Sequence, residues 1–199
     1  MSITTRNPGP NDLATISNAL ERLLRTDSQT RDTVANTALG ASHVEIAAAH
    51  SVYTMTVDEV LSPTFPDSSK DSGRRYIAIV GNEPLGLVGL LSTEEQDQPQ
   101  FSGIRLGSLA TAFVRAIEIG EELPPVAEAD YELRALHIPA LYVTAIWLHG
   151  NTDIFITVPP CPPTIVAYAV FSPAELTEAL RELALTAREF DESSLFPDN

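Results

Sequence analysis

The stretch YELRALHIPALYVTAIWLHGNTDIFITVPP, residues 131–160, contains the longest run of β-branched, aromatic and aliphatic residues in the chain. Such residues are typical of strands. Before Pro139, the charged residues Glu132 and Arg134 alternate with apolar ones, which predicts a strand with one exposed face. Pro139 has no N–H group to donate to a neighbouring strand, so it predicts a break or a bulge at that point.

Beyond Pro139 the pattern changes, because apolar residues occur on both faces of the predicted strand. Tyr142, Ile146 and Leu148 fall on one face, while Val143 and the single tryptophan, Trp147, fall on the other. A strand that is apolar on both faces must be covered on both. The sequence therefore predicts that helices or a partner subunit cover both sides of the sheet here.

Two glycine–asparagine pairs predict tight turns between strands. Gly81-Asn82 and Gly150-Asn151 each separate two apolar, strand-like flanks, and glycine readily adopts the positive φ that such turns require. We therefore predict hairpins over 76–90 and 141–158. Further strands are predicted at 51–57 and 164–171 from their β-branched residues.

Three amphipathic helices are predicted from apolar residues at helical spacing, over 12–25, 106–119 and 173–190. In the first, Leu13 lies on the apolar stripe and Asp12 on the polar side or at the N-cap. In the second, Ser108 is the predicted N-cap and Gly120 the predicted C-cap. The third follows a capping box in the sequence SPAE, residues 172–175. A short helix is also predicted over 30–39.

The strands come mostly in hairpin pairs and do not alternate strictly with helices. This order favours a single α+β domain over 1–199, with a largely antiparallel sheet covered by the three amphipathic helices. Residues 1–10 and 191–199 are predicted to be flexible ends.

The strong negative charge limits the classes of partner. Lys and Arg number 12 against 27 Asp and Glu, which gives a net charge of −15. A surface of that charge repels phosphate backbones and anionic lipids, so we expect neither nucleic acid nor membrane partners. The single cysteine excludes an internal disulfide, and residues 1–6 lack the apolar core of a secretory signal. We therefore expect a cytoplasmic protein.

For each candidate site, a structural role explains the residues better than a functional one. His43, Glu45 and His50 could ligate a metal, but their spacing is not that of a zincin motif. His149 lies beside a predicted turn, where hydrogen bonding explains it. Cys161 lies in a proline-rich connector and could pair with His149 as a nucleophile, although spacing does not support that pair. The sequence therefore assigns no catalytic, cofactor-binding or metal-binding residue.

The predicted function is correspondingly general. A substantial core, an acidic surface and the lack of a recognisable site favour a non-enzymatic protein-binding or self-associating component of a bacterial-type cytoplasm, with an assembly or regulatory role. The alternative is a small enzyme or ligand-binding domain, with a pocket between the sheet and helix 106–119 that uses His149, Tyr142 or acidic residues.

Overall fold

A computed structural model describes residues 2–28, 44–91 and 99–195, without the side chains of residues 24 and 190–195. The predicted helix 30–39 and His43 lie outside these ranges. The elements in chain order are β1 Ile3–Thr4, α1 Pro10–Thr26, β2 Val44–Thr54, α2 Val57–Val60, β3 Lys70–Val80, β4 Glu83–Leu91, β5 Gln100–Leu106, α3 Ser108–Glu121, α4 Pro124–Glu128, β6 Tyr131–Ile138, a 3-10 turn Pro139–Leu141, β7 Val143–His149, β8 Ile154–Thr157, β9 Val170–Phe171 and α5 Pro173–Leu195.

The described strands form one mixed sheet in the order β5-β4-β3-β2-β6-β7-β8-β9. Both predicted hairpins are confirmed, as β3–β4 and β7–β8, and most neighbouring strands are antiparallel. The exceptions meet at β6, which pairs in parallel with β2 and, further along the same edge, with β1. The predicted α+β fold with a largely antiparallel sheet is therefore confirmed.

The strand order divides the sheet into two halves of similar construction. β2 to β5 run outward on one side and are followed by α3, whereas β6 to β9 run outward on the other and are followed by α5. The halves meet where β2 and β6 lie side by side in parallel. The sequence shows no matching repeat of residues, so this correspondence is visible only in the strand order.

Helices cover both faces of the sheet, as the apolar pattern of residues 141–158 predicted. α3 packs on one face, where Phe113 and Ala116 contact a core that includes Ile146 and Leu148. α5 packs on the opposite face, against Trp147 and its neighbours. α1 shares that second face and covers β3 and β4. The cover therefore comes from within the chain.

The interruption at Pro139 is confirmed, but one residue after it differs from the prediction. Pro139–Leu141 form a 3-10 turn between β6 and β7. Tyr142 ends this turn in the left-handed region, with φ 54°, and is 84% exposed. The predicted burial of Tyr142 was wrong because the turn removes it from the alternation of β7.

The C-terminal region also differs in part from the prediction. The capping box of α5 is present: Ser172 N and Oγ donate to Glu175 Oε2, and Glu175 N donates to Ser172 Oγ. The predicted strand 164–171 is reduced to Val170–Phe171, because turns occupy the preceding residues. α5 continues to Leu195, into the segment predicted to be a flexible end. At the other predicted flexible end, Ile3–Thr4 form β1.

The predicted apolar stripe of α1 is confirmed at Ile16 and Leu20, which are buried, but the first turn of the helix differs from the prediction. The helix begins at Pro10 with Gly9 as N-cap, so Asp12 lies inside its first turn. Asp12 is 5% exposed, whereas Leu13, predicted on the buried stripe, is 40% exposed. The prediction was wrong because partners on β3 bind the carboxylate and fix the rotation of the helix on the sheet.

The ends of α3 were also predicted wrongly. Its N-cap is Gly107, with φ 97°, and its C-cap is Glu122, so Gly120 lies within the helix. A Cβ at Gly120 would lie 3.0 Å from Leu148 Cδ1 and 3.3 Å from Ile3 Cδ1. The glycine therefore permits close approach of the helix to β1, β7 and β8.

This contact predicts the effect of a large side chain. We expect Gly120→Leu to lower the free energy of unfolding by about 1–3 kcal/mol, because an overpacked core must shift backbone or rotamers. Glu121→Leu places the same side chain one position further, where it is exposed, and should change stability by less than about 0.5 kcal/mol. Urea unfolding followed by Trp147 fluorescence measures both; equal stability of the two variants would contradict the close contact.

Among the helices of the described ranges, none combines the length and the apolar composition needed to cross a membrane.

Candidate functional site

A large open groove runs around the end of the sheet at which β2 and β6 terminate. Its volume is about 1580 Å³. Three walls enclose it: the strand ends with the 3-10 turn, the proline-rich segment after β8, and one side of α5. The lining residues are Thr54, Met55, Thr56, Val57, Asp58, Arg105, Leu109, His137, Pro139, Ala140, Leu141, Tyr142, Thr144, Pro160, Cys161, Pro162, Pro163, Thr164, Ala179, Glu182, Leu183, Thr186, Ala187 and Arg188.

The wall formed by α5 arises from an apolar stripe that is wider than the surface it covers. Leu176, Leu180 and Ala184 repeat every four residues and are fully buried against the sheet. Leu183 lies one position before Ala184, and Ala187 lies three positions after it. Both residues are only partly buried. Residues at these spacings form adjacent stripes on a helix. α5 therefore presents apolar surface to the groove in addition to the surface buried in the core.

The only cysteine of the sequence lies on the proline-rich wall. Cys161 is partly buried, and its Sγ lies 3.5 Å from the carbonyl oxygen of Val158. Burial raises the pKa of the thiol above its ordinary value. Since the thiolate is the nucleophilic form, this environment works against a nucleophilic role for Cys161.

Arg75, Arg105 and His137, the basic cluster, lie on the α3 face of the sheet. The ladder pairs Arg105 with Leu87, a core residue of that face, and Arg75 lies two residues from Ile77 in the same core. His137 alternates with Ala135 of that core. Arg105 and His137 line the groove, whereas Arg75 is half-buried beside it.

The members of the basic cluster affect one another electrostatically. Burial lowers the pKa of the Arg75 guanidinium, and the charge of Arg105 lowers it further. Burial also lowers the pKa of His137, with smaller contributions in the same direction from Arg75 and Arg105. His137 Nδ1 and Thr144 Oγ1 form a hydrogen bond of 3.1 Å. The two arginines therefore make one positive region at an edge of the groove, and His137 lies within their field.

Of the candidate metal ligands, the structure describes Glu45 and His50, and it does not place both at one site. Glu45 and His50 lie on the same strand, but Glu45 is exposed and His50 is 2% exposed. His50 stacks on Phe113, and its Nδ1 donates to the carbonyl oxygen of Ala48 at 2.8 Å. Within residues 2–28, 44–91 and 99–195, no group of three His, Cys, Asp or Glu residues could hold a metal ion.

His149 and Cys161 bind different partners. His149 Nδ1 is 2.8 Å from Asp153 Oδ1, across the hairpin turn, and its ring contacts Trp147 edge-on at 5.4 Å. In the described part of the chain, no hydrogen bond joins His149 to Cys161. The turn thus accounts for His149, as the structural explanation predicted.

Sequence reasoning missed most of the groove. Of the two segments predicted to enclose a pocket, helix 106–119 contributes only Leu109, because the rest of its apolar surface is buried in the core. The width of the apolar stripe of α5 is visible in the sequence and could have indicated that this helix has apolar surface outside the core. By contrast, Arg75, Arg105 and His137 are separated by up to 62 residues, and nothing in the sequence indicates that they share a face.

The fold and the groove define the protein as an α+β protein with an open, largely apolar groove at one end of its sheet. Comparison of the chain with protein families, with curated proteins and with solved structures found no match.

Proposed function

We propose that this protein is a non-catalytic binding protein that holds an extended segment of a partner protein in the groove. The observation that carries the proposal is the volume of the groove, about 1580 Å³. Pockets for small ligands occupy about 300–1,000 Å³ and enclose most of the ligand. This groove is larger and open along one side, as the binding of a chain segment requires.

The chemistry of the walls also suits a peptide. Leu109, Leu183 and Ala187 provide apolar contacts, while Thr54 and Thr186 offer hydroxyl groups. Mixed apolar and polar linings bind peptide side chains while allowing backbone hydrogen bonds. Tyr142, exposed at the rim, is a residue type that often dominates binding energy at protein interfaces. An assembly or regulatory role in the cytoplasm, as expected from the sequence, is consistent with such a surface.

The proposal predicts that filling the groove abolishes peptide binding. Short random peptides are selected on the full chain, and their affinities are compared with those for Ala179→Trp. Ala179 lies on the groove side of α5, so the indole should reduce affinity by about tenfold or more, equivalent to about 1.4 kcal/mol. Fluorescence anisotropy of labelled peptides measures the affinities.

The matched control is Ala174→Trp, which makes the same change at an exposed position of α5 outside the groove. It should bind the peptides as the wild type does, and thermal unfolding confirms that both variants fold. The proposal is wrong if no peptide is selected, or if Ala179→Trp binds as well as the control. Light scattering adds one decisive outcome: a wild-type dimer that Ala179→Trp converts to a monomer would identify a second copy of the chain as the occupant instead.

A further inference from the structure

Two positively charged side chains of the basic cluster form no ion pair with a carboxylate of the described residues, although the protein is strongly acidic. Within the described ranges, five arginines form salt bridges, namely Arg25, Arg74, Arg115, Arg134 and Arg181, and five do not, namely Arg6, Arg22, Arg75, Arg105 and Arg188. Of the five without a salt bridge, Arg75 is the one that is half-buried, and the charge of Arg105 acts on it.

Their position makes the missing partners energetically significant. Arg75 is half-buried, and the charge of Arg105 acts on it in addition to partial loss of water. A buried charge without a counter-charge is unfavourable, and like charges nearby add to the cost. An anion bound between the members of the cluster would remove both penalties.

The surroundings of the cluster leave it accessible from the groove. Arg105 is exposed and lines the groove together with His137. Beside Arg75 on the sheet lie Gly89 and Gly103; a Cβ at Gly103 would meet nothing within 4 Å, whereas one at Gly89 would clash with Ser102 Oγ, so the open space lies at Gly103. α3 begins three residues after Arg105 without an acidic residue in its first turn, so the positive end of its dipole adds to the same potential.

We propose that the basic cluster of Arg75, Arg105 and His137 binds a carboxylate of the peptide that occupies the groove, so that the protein selects partner segments with an Asp or Glu side chain or a C-terminus at that position. Arg105 contacts the carboxylate through its planar guanidinium, which matches the two carboxylate oxygens. Arg75, behind it, supplies positive potential. This inference rests on the proposed function, since the carboxylate belongs to the peptide in the groove.

A carboxylate fits better than a phosphate group. The protein carries a net charge of −15, and its overall field opposes the approach of an anion in proportion to the charge of that anion. A phosphate group carries about two negative charges at neutral pH, whereas a carboxylate carries one. The groove also contains Asp58 and Glu182, which add to this opposition.

Two peptide libraries test the inference. They are identical in their random positions and differ only at a fixed central residue, which is Glu in one and Gln in the other. We expect selection on the full-length protein to enrich the Glu library. We expect Arg105→Gln to lower the affinity of the selected Glu peptides about 10- to 100-fold, as is typical for loss of a hydrogen bond to a charged group. The matched control Arg115→Gln removes an exposed arginine of α3 that pairs with Glu118, and it should leave affinity unchanged.

An NMR titration provides a readout that a merely structural role of the cluster would not change. Burial lowers the pKa of His137, the charges of Arg75 and Arg105 lower it further, and Thr144 is its hydrogen-bond partner. A bound carboxylate screens both arginines, so Glu peptides should raise the His137 pKa and Gln peptides should not. The spectrum of His137→Gln assigns the imidazole signal.

The outcomes separate this inference from the proposed function. If neither library yields binders, the proposed function fails. If both libraries bind equally and Arg105→Gln has no effect, the groove binds peptides but the carboxylate inference is wrong. Displacement of the Glu peptides by inorganic phosphate more strongly than by acetate at equal ionic strength would also overturn it, because the preferred anion would then be a phosphate.

Discussion

Replacing Asp12 by alanine is expected to lower the free energy of unfolding by about 2–4 kcal/mol. Asp12 Oδ2 accepts hydrogen bonds from Tyr76 Oη at 2.7 Å, from Gly9 N at 3.1 Å and from Arg74 Nη1 at 3.3 Å. Alanine leaves the Tyr76 hydroxyl without its partner in a fully buried residue. It also removes the carboxylate that pairs with Arg74, so α1 loses its polar attachment to β3.

The size of the effect distinguishes this attachment from simple helix capping. Loss of a cap interaction alone costs about 1 kcal/mol. Glu21→Ala, at an exposed position of the same helix, should cost less than about 0.5 kcal/mol despite its ion pair with Arg25. Urea unfolding followed by Trp147 fluorescence compares the variants. A loss for Asp12→Ala no greater than that for a cap would show that the contacts with β3 contribute little.

His50 is expected to make the protein less stable in mild acid. Burial is the main cause that lowers its pKa from 6.5 to about 4; the hydrogen bond to Ala48 opposes this shift, and the charge of Arg75 adds to it. Between these two pH values the unfolded chain binds a proton at His50 and the folded chain does not. The contribution of His50 to the free energy of unfolding is therefore fully present above pH 6.5. It decreases by about 3 kcal/mol in total as the pH falls to 4.

The variant His50→Asn tests this expectation, because asparagine can donate to the Ala48 carbonyl but does not titrate. It loses the stacking contact with Phe113 and should be less stable at pH 7. Its unfolding free energy should then fall less steeply than that of the wild type between pH 6.5 and 4. Parallel curves for the two proteins would mean that other groups cause the acid sensitivity.

Local patterns predicted the elements of the fold with good accuracy. The two glycine–asparagine turns placed both hairpins, and the capping box placed the start of α5, because these signals act between residues close in the chain. The apolar pattern of residues 141–158 correctly required cover on both faces. The strand predicted over 164–171 failed, since β-branched residues alone do not specify pairing, and turns occupy most of that segment.

The candidate site was far less predictable. The histidines and the cysteine that the sequence singled out are separate in space or have local partners, as His149 has in Asp153. Tyr142 and Cys161, which the sequence singled out, do line the groove, but most of its residues and the basic cluster were ordinary positions of strands and of α5. Whether these residues form a site depends on which other residues lie near them in the fold, and the strand order determines those neighbours.

The sequence by itself determined the fold class, the two hairpins and the requirement for a two-sided cover of the central strands. These properties follow from hydrophobic periodicity and turn chemistry, which operate over a few residues. The tertiary structure alone decided that β2 and β6 meet in parallel, that α3 and α5 lie on opposite faces, and that Asp12 is buried. It also placed Arg105 and His137 on one groove, because packing between distant segments sets which side chains share a surface.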